Sequence, residues 1–163
     1  MKRSRIFSLI ALAAISLFVV SCSEDNNPTN TPTLGTISGR VTFVGNWPAT
    51  GNVQVSIWAE GTWPPMGPPE GSSVNIPSGS GTYDFTIEGL KKLNYQAISV
   101  GWRNPANPAG ARVLGIYVND ATKTGINTAT VPPTYDTPAS IVIGDAKMIW
   151  TGLDMKADLS LAQ

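Results

Sequence analysis

Hydrophobic and polar residues alternate with a period of two along most of the chain after residue 35. The clearest runs are 53–59, 83–88 and 153–159, where every second side chain is apolar and its neighbours are mostly polar or charged. Such alternation is typical of β-strands that bury one face. The same pattern predicts further strands at 37–44, 95–102, 112–118 and 140–143, with a short one at 73–76.

Sixteen glycines and thirteen prolines interrupt the chain so often that no helix of three turns is expected in this region. We therefore predict an all-β fold, a single antiparallel β-sandwich of seven or eight strands over residues 36–163. Its core is expected at alternate strand positions, namely Val41, Val53, Val55, Ile57, Tyr83, Phe85, Ile87, Ile98, Val100, Leu153, Met155 and Leu159.

Three connections are longer than a β-hairpin needs. Residues 61–72 are rich in proline and should be stiff, and residues 104–111 are expected to form a compact turn segment. Residues 119–138 form a long loop that contains the sequence V-P-P-T-Y at 131–135. Loops of this length in a small domain are either functional or mobile.

The first 21 residues have the pattern of a secretory signal peptide. Three basic residues lie among the first five, and residues 6–20 form an apolar stretch that is short for a membrane span. The sequence V-V-S-C that ends at Cys22 resembles the lipobox of bacterial lipoprotein precursors. We expect cleavage before Cys22 and acylation of this residue, which would hold the mature protein on a membrane.

Residues 22–35 are predicted to be the lipidated cysteine and a disordered tether, because they are polar and interrupted by proline. Glu24 and Asp25 resemble the acidic signal that sends some bacterial lipoproteins to the cell surface. A merely soluble linker accounts for them equally well. The predicted location is the bacterial cell envelope, with a lipid anchor in the outer membrane and with surface exposure left open.

Removal of the signal peptide changes the charge balance. Three of the eleven Lys and Arg residues precede Cys22, whereas all eleven Asp and Glu residues follow it, so the mature chain has a net charge of −3. It keeps no run of basic residues that would neutralise several phosphates, so we expect no nucleic-acid partner. Since Cys22 is the only cysteine, the domain is expected to have no disulfide and to depend on a packed core.

Several short motifs resemble the carboxypeptidase regulatory-like domain. They are I-S-G-R-V at 37–41, V-Q-V at 53–55, G-T-Y-D-F at 81–85, and G-L at 89–90 followed by Tyr95. The resemblance implies a transthyretin-like or immunoglobulin-like sandwich. Such domains are generally non-catalytic, and in bacterial surface proteins they resemble spacers, stalks or accessory modules. The resemblance therefore implies no catalytic residue in this chain.

One position departs from the pattern of that family. Leu93 and Asn94 stand where the family usually has Pro-Gly before the tyrosine. Asparagine tolerates a left-handed backbone better than most residues, so we expect the turn to survive.

The chain has few groups suited to catalysis. It has no histidine, which excludes histidine-based nucleophilic triads and zinc sites. Asp154 and Asp158 lie on the same face of one predicted strand. Four residues of strand separate them by roughly 13 Å, which is wider than the carboxylate spacing of either retaining or inverting glycosidases. Asp120, Asp136 and Asp145 lie in or near loops, and no D-x-D-x-D-G calcium segment occurs. We predict no enzyme activity, no metal and no cofactor.

The five tryptophans are the strongest sequence clue to a ligand, because a small sandwich holds only one or two in its core. Trp102 and Trp150 are expected to pack in the core or at an edge. Trp58 lies on the same face of its predicted strand as polar residues, and Trp47 and Trp63 lie in proline-bounded loops. Exposed rings at these three positions would allow stacking on sugars. Alternatively, the rings fold back and cap the sandwich.

Three hypotheses follow from these observations. The first is a non-catalytic envelope lipoprotein whose sandwich has a structural role or contacts an envelope protein. The second is a carbohydrate-binding module that uses exposed Trp47, Trp58 and Trp63. The third, a carboxylate-based hydrolase, needs acidic side chains clustered in a cleft.

The lipobox generates a direct prediction. Cys22→Ser should abolish labelling by a fatty-acid analogue and leave the unprocessed precursor, because cleavage follows modification of the cysteine. Metabolic labelling followed by gel electrophoresis measures both effects. Wild-type protein of mature size that takes up no label would contradict the lipobox assignment.

Overall fold

The alternating pattern corresponds to β-strands within residues 33–162, the part of the chain described by this computed structural model. The signal peptide, Cys22 and most of the tether lie outside these residues. The strands are β1 (Gly35–Val44), β2 (Asn52–Ala59), β3 (Gly71–Ser72), β4 (Thr82–Leu90), β5 (Asn94–Asn104), β6 (Asn107–Ile116), β7 (Ile126–Asn127), β8 (Thr134–Tyr135), β9 (Ile141–Val142), β10 (Ile149–Trp150) and β11 (Met155–Asp158). A 3-10 turn at Leu159–Ala162 follows β11, so the described domain is all-β, as predicted.

The first sheet is built around β1. Strand β4 pairs antiparallel with one edge of β1, in a register that places Gly39 opposite Phe85. Strands β10 and β11 pair with its other edge one after the other, and both run parallel to β1. The prediction of a purely antiparallel fold is therefore wrong in this sheet. Alternation reports which face of a strand is buried and carries no information on strand direction.

The second sheet has the order β3-β2-β5-β6 and is antiparallel. Strand β9 pairs with the start of β5 at Asn94 and Tyr95, while β6 pairs with its later residues. Strands β7 and β8 form a separate two-stranded ribbon within the long loop after β6.

The described residues contain eleven strands, where seven or eight were predicted. Five of them have only two residues, which is too short for alternation to be visible. The short strand predicted at 73–76 lies instead at Gly71–Ser72. Residues 104–111, predicted as a turn segment, extend β5 and β6 into a hairpin whose turn is held by the Asn104 side chain, which accepts a hydrogen bond from the Ala106 N–H at 2.9 Å.

Both larger sheets contribute side chains to one buried cluster. Eleven of the twelve predicted core positions are buried, and the exception, Tyr83, is half-buried against the same cluster. The two sheets approach each other closely where β6 meets β11, because a Cβ at Gly115 would overlap the carbonyl oxygen of Lys156. Glycine is therefore required at this position for backbone proximity.

The core generates a stability prediction with a matched control. Phe85 on β4 is 2% exposed, so Phe85→Ala should leave a cavity and lower the free energy of unfolding by about 3–5 kcal/mol. Thr86 is exposed on the opposite face, and Thr86→Val should change the free energy by less than about 0.5 kcal/mol. Urea denaturation measures both, and equal losses would contradict the assigned strand faces.

Candidate functional site

The outer face of the second sheet is apolar at one end. Trp58 on β2 lies opposite Ala97 on β5 in the strand register, and Ile116 on β6 pairs with Ser99 beside them. Trp58, Ala97 and Ile116 are all buried, although they face away from the main core. The sheet therefore has apolar side chains on both faces here, and the outer face must be covered.

Two long loops cover this face. The loop after β2 places Trp63 with its ring centre 6.2 Å from that of Trp58, and the loop after β6 places Tyr135 on β8 with its ring centre 5.2 Å from Trp63. The ring planes are tilted, a favourable geometry for aromatic pairs. We call this group the outer cluster; it contains Trp58, Trp63, Ala97 and Ile116 with the half-buried Val113, Val118 and Tyr135.

For Trp58 and Trp63 the structure contradicts exposure, the alternative that stacking on sugars requires. Trp58 is 7% exposed and its Nε1 donates to Ser99 Oγ at 2.8 Å, while Trp63 is 8% exposed. Trp47 is half-buried, packs its ring 5.1 Å from that of Phe43, and donates from Nε1 to the Ser80 carbonyl at 3.0 Å. The alternative that the loop rings fold back onto the domain describes Trp47 and Trp63, and Trp58 on β2 is covered by Trp63. A side chain on the polar face of a strand is exposed only where no loop covers that face.

Trp102 and Trp150 are half-buried against the main core, in agreement with their predicted packing role. Trp102 Nε1 donates to the Thr50 carbonyl at 2.8 Å, and Trp150 Nε1 donates to the Val142 carbonyl at 3.0 Å. The Lys147 Nζ lies 3.4 Å from the centre of the Trp150 ring, a cation–π contact.

A shallow pocket of about 520 Å³ lies between the two loops that cover the outer cluster. We call it the loop pocket; its lining residues are Trp63, Pro64, Gln96, Pro133, Thr134, Tyr135, Asp136, Thr137 and Pro138. The sequence pointed to Trp63 and to the segment that ends at Tyr135, but not to a contact between them. The positions of Gln96 and Asp136 beside them were not predicted, because these residues meet only where both loops cover the sheet.

Hydrogen bonds hold the Gln96 side chain and the Asp136 backbone at the loop pocket. Gln96 Oε1 accepts a hydrogen bond from the Gly61 N–H at 3.0 Å, and the Asp136 N–H donates to the Gly125 carbonyl at 2.9 Å. Burial raises the pKa of the Tyr135 phenol above its usual value, with the nearby Arg112 opposing the effect. The phenol is therefore a neutral hydrogen-bond donor at physiological pH.

The aspartates that were candidates for catalysis or metal binding are engaged locally. Asp154 accepts from the Arg40 N–H at 2.9 Å, and Asp158 Oδ1 accepts from the N–H and hydroxyl of Ser160. Asp120 accepts from the hydroxyl and the N–H of Thr122, and these hydrogen bonds lower the pKa of its carboxyl.

The other candidate aspartates lie apart as well. Asp145 pairs with Lys92, and Asp136 lies at the loop pocket. Asp120, Asp136 and Asp145 therefore do not come together, and residues 33–162 contain no group of three His, Cys, Asp or Glu side chains placed to hold a metal.

The outer cluster generates a prediction. Trp63→Ala should lower the free energy of unfolding by about 3–5 kcal/mol, because it removes a ring packed between Trp58 and Tyr135. Met66 lies in the same loop and is 63% exposed, so Met66→Ala is the matched control with a change below about 0.5 kcal/mol. Chemical denaturation measures both variants. A Trp63→Ala variant as stable as the control would mean that the loop does not cover the sheet.

In residues 33–162 no helix is long and apolar enough to cross a membrane. Comparison of the chain with protein-family models, with curated proteins and with solved structures found no match.

Proposed function

We propose that this chain is a non-catalytic, lipid-anchored protein of the bacterial cell envelope whose domain has a structural or protein-interaction role. The anchor is supported by the basic start, the apolar stretch and the lipobox at Cys22. The role is supported by the way in which the chain enters the domain. The observation that carries the proposal is the position of β1.

Strand β1 begins at Gly35, the last residue of the predicted tether, and it is paired along both edges. Strand β4 occupies one edge, while β10 and β11 occupy the other. A force applied through the tether along β1 would load two sets of backbone hydrogen bonds, those to β4 and those to β10 and β11. Such an arrangement suits a domain that stays folded while attached to a membrane at one end.

We further propose that the two larger sheets pack face to face as a β-sandwich related to the carboxypeptidase regulatory-like domain. The shared buried cluster supports the sandwich. The resemblance is supported by the pairing of its motifs, since 37–41 lies on β1 opposite the 83–87 part of β4. V-Q-V at 53–55 lies on β2, and Val53 and Val55 contribute to the main core.

The hypothesis of a sugar-binding surface made of exposed Trp47, Trp58 and Trp63 is not retained, because two of these rings are buried and the third is half-buried. A carboxylate hydrolase has no specific observation in its favour. The partner that the proposed function expects is another protein of the envelope.

Site-specific photo-crosslinking in intact cells tests this role. A photoreactive residue is placed at exposed positions on different parts of the domain: Thr42 and Thr86 on the first sheet, Val142 on β9 and Met66 in the loop after β2. We expect one discrete adduct with the same envelope protein from neighbouring positions only, and we expect Cys22→Ser to abolish it by removing the anchor. Adducts at no position, or at every position alike, would contradict a specific protein contact.

A further inference from the structure

The indole N–H of Trp63 differs from those of the other tryptophans in its hydrogen bonding. Four of the five rings donate this hydrogen to a protein oxygen, at distances between 2.8 and 3.0 Å, in the pairs Trp47 to Ser80, Trp58 to Ser99, Trp102 to Thr50 and Trp150 to Val142. The Trp63 Nε1 has no acceptor among residues 33–162, although only 8% of Trp63 is exposed.

This donor is not sealed in the interior. Every fully buried polar side-chain atom in the described part of the chain has a hydrogen-bond partner, so the Trp63 Nε1 must be one that solvent can reach. Trp63 also lines the loop pocket. A donor on a mostly buried ring is poorly hydrated, and an acceptor placed there by a ligand would satisfy it with little loss of hydration.

Three further polar groups surround the same pocket. The Tyr135 hydroxyl, neutral at physiological pH, makes no hydrogen bond to residues 33–162 and is a second donor. The Asp136 carboxylate is exposed and forms no ion pair within the described residues, so it is available as an acceptor. The Gln96 side chain is oriented by its bond from the Gly61 N–H. The pocket thus offers donors and acceptors beside aromatic and proline surfaces.

We propose that the loop pocket binds a neutral saccharide, of which one or two sugar units enter the pocket. Sugar hydroxyls both donate and accept, so they can pair with the indole N–H, the phenol and the carboxylate together. The C–H faces of a sugar ring suit the half-buried Tyr135 ring and the proline walls. The volume of about 520 Å³ lies within the range of small-molecule sites.

The Asp136 carboxylate favours a saccharide over a proline-rich peptide as the ligand. A proline-rich peptide in a polyproline II conformation also presents carbonyl oxygens to indole and phenol donors. Prolines have no N–H, however, so a polyproline segment offers the Asp136 carboxylate no donor, whereas a sugar hydroxyl does. The same carboxylate disfavours an anionic sugar. This inference goes beyond the proposed function and does not depend on the lipid anchor.

The test follows the Trp63 indole signal by nuclear magnetic resonance in the isotopically labelled full chain in detergent solution. The signal is assigned by its loss in Trp63→Phe. Maltohexaose, cellohexaose and chitohexaose are titrated separately up to about 10 mM, and decaproline serves as the competing ligand. We expect at least one hexaose to shift this signal while the other indole signals move little.

Two conservative variants identify the hydrogen bonds. Tyr135→Phe keeps the ring against Trp63 and removes only the hydroxyl, and Asp136→Asn keeps the shape and removes the charge. Each should weaken binding about 3- to 10-fold, as expected for loss of one or two hydrogen bonds to a ligand. Met66→Ala, in the same loop but outside the pocket lining, should leave the affinity unchanged.

The other outcomes would overturn the inference. No shift with any hexaose at the highest concentration would exclude a saccharide site. A shift with decaproline alone would assign the pocket to a peptide. Unchanged affinity in both Tyr135→Phe and Asp136→Asn, with the melting temperature preserved, would place any sugar binding elsewhere.

Discussion

The structure depends on an apolar patch that its second sheet carries on the outer face. Trp58, Ala97 and Ile116 lie there, away from the main core, and exposing them to water would be costly. The chain covers them with its two longest loops, whose contact is the pair formed by Trp63 and Tyr135. Loop covering explains why Trp58 and Trp63 are buried and why a shallow pocket lies between the two loops.

The long strands and their buried faces were predictable from the sequence, because alternation determines which side chains share a face. Val53, Val55 and Ile57 illustrate this, since all three were assigned to the core and all three are buried. Strand direction was not predictable, because a parallel neighbour such as β11 has the same alternation as an antiparallel one. The two-residue strands β7, β8 and β10 were missed, since they are determined by tertiary pairing and not by local pattern.

The site was predictable only in part. Trp63 and the segment that ends at Tyr135 stood out in the sequence, but their contact joins residues 72 positions apart. Trp58 shows why alternation alone did not predict its burial. Gln54 and Ser56 on the same strand face are polar, but a loop covers this face at Trp58. Gln96 and Asp136 line the pocket only because the fold brings them together, so the sequence did not predict this. Strand β1 belongs to the first sheet, whereas the loop pocket lies over the second sheet.

A double-mutant cycle between Trp63 and Tyr135 tests most directly whether the two loops meet over the outer face. The free energy of unfolding is measured for the wild type, Trp63→Ala, Tyr135→Ala and the double variant. Contact between the rings, whose centres lie 5.2 Å apart, predicts a coupling energy of about 0.5–1.5 kcal/mol. Strictly additive losses would show that the rings do not interact, and the account of a loop-covered sheet would then be wrong.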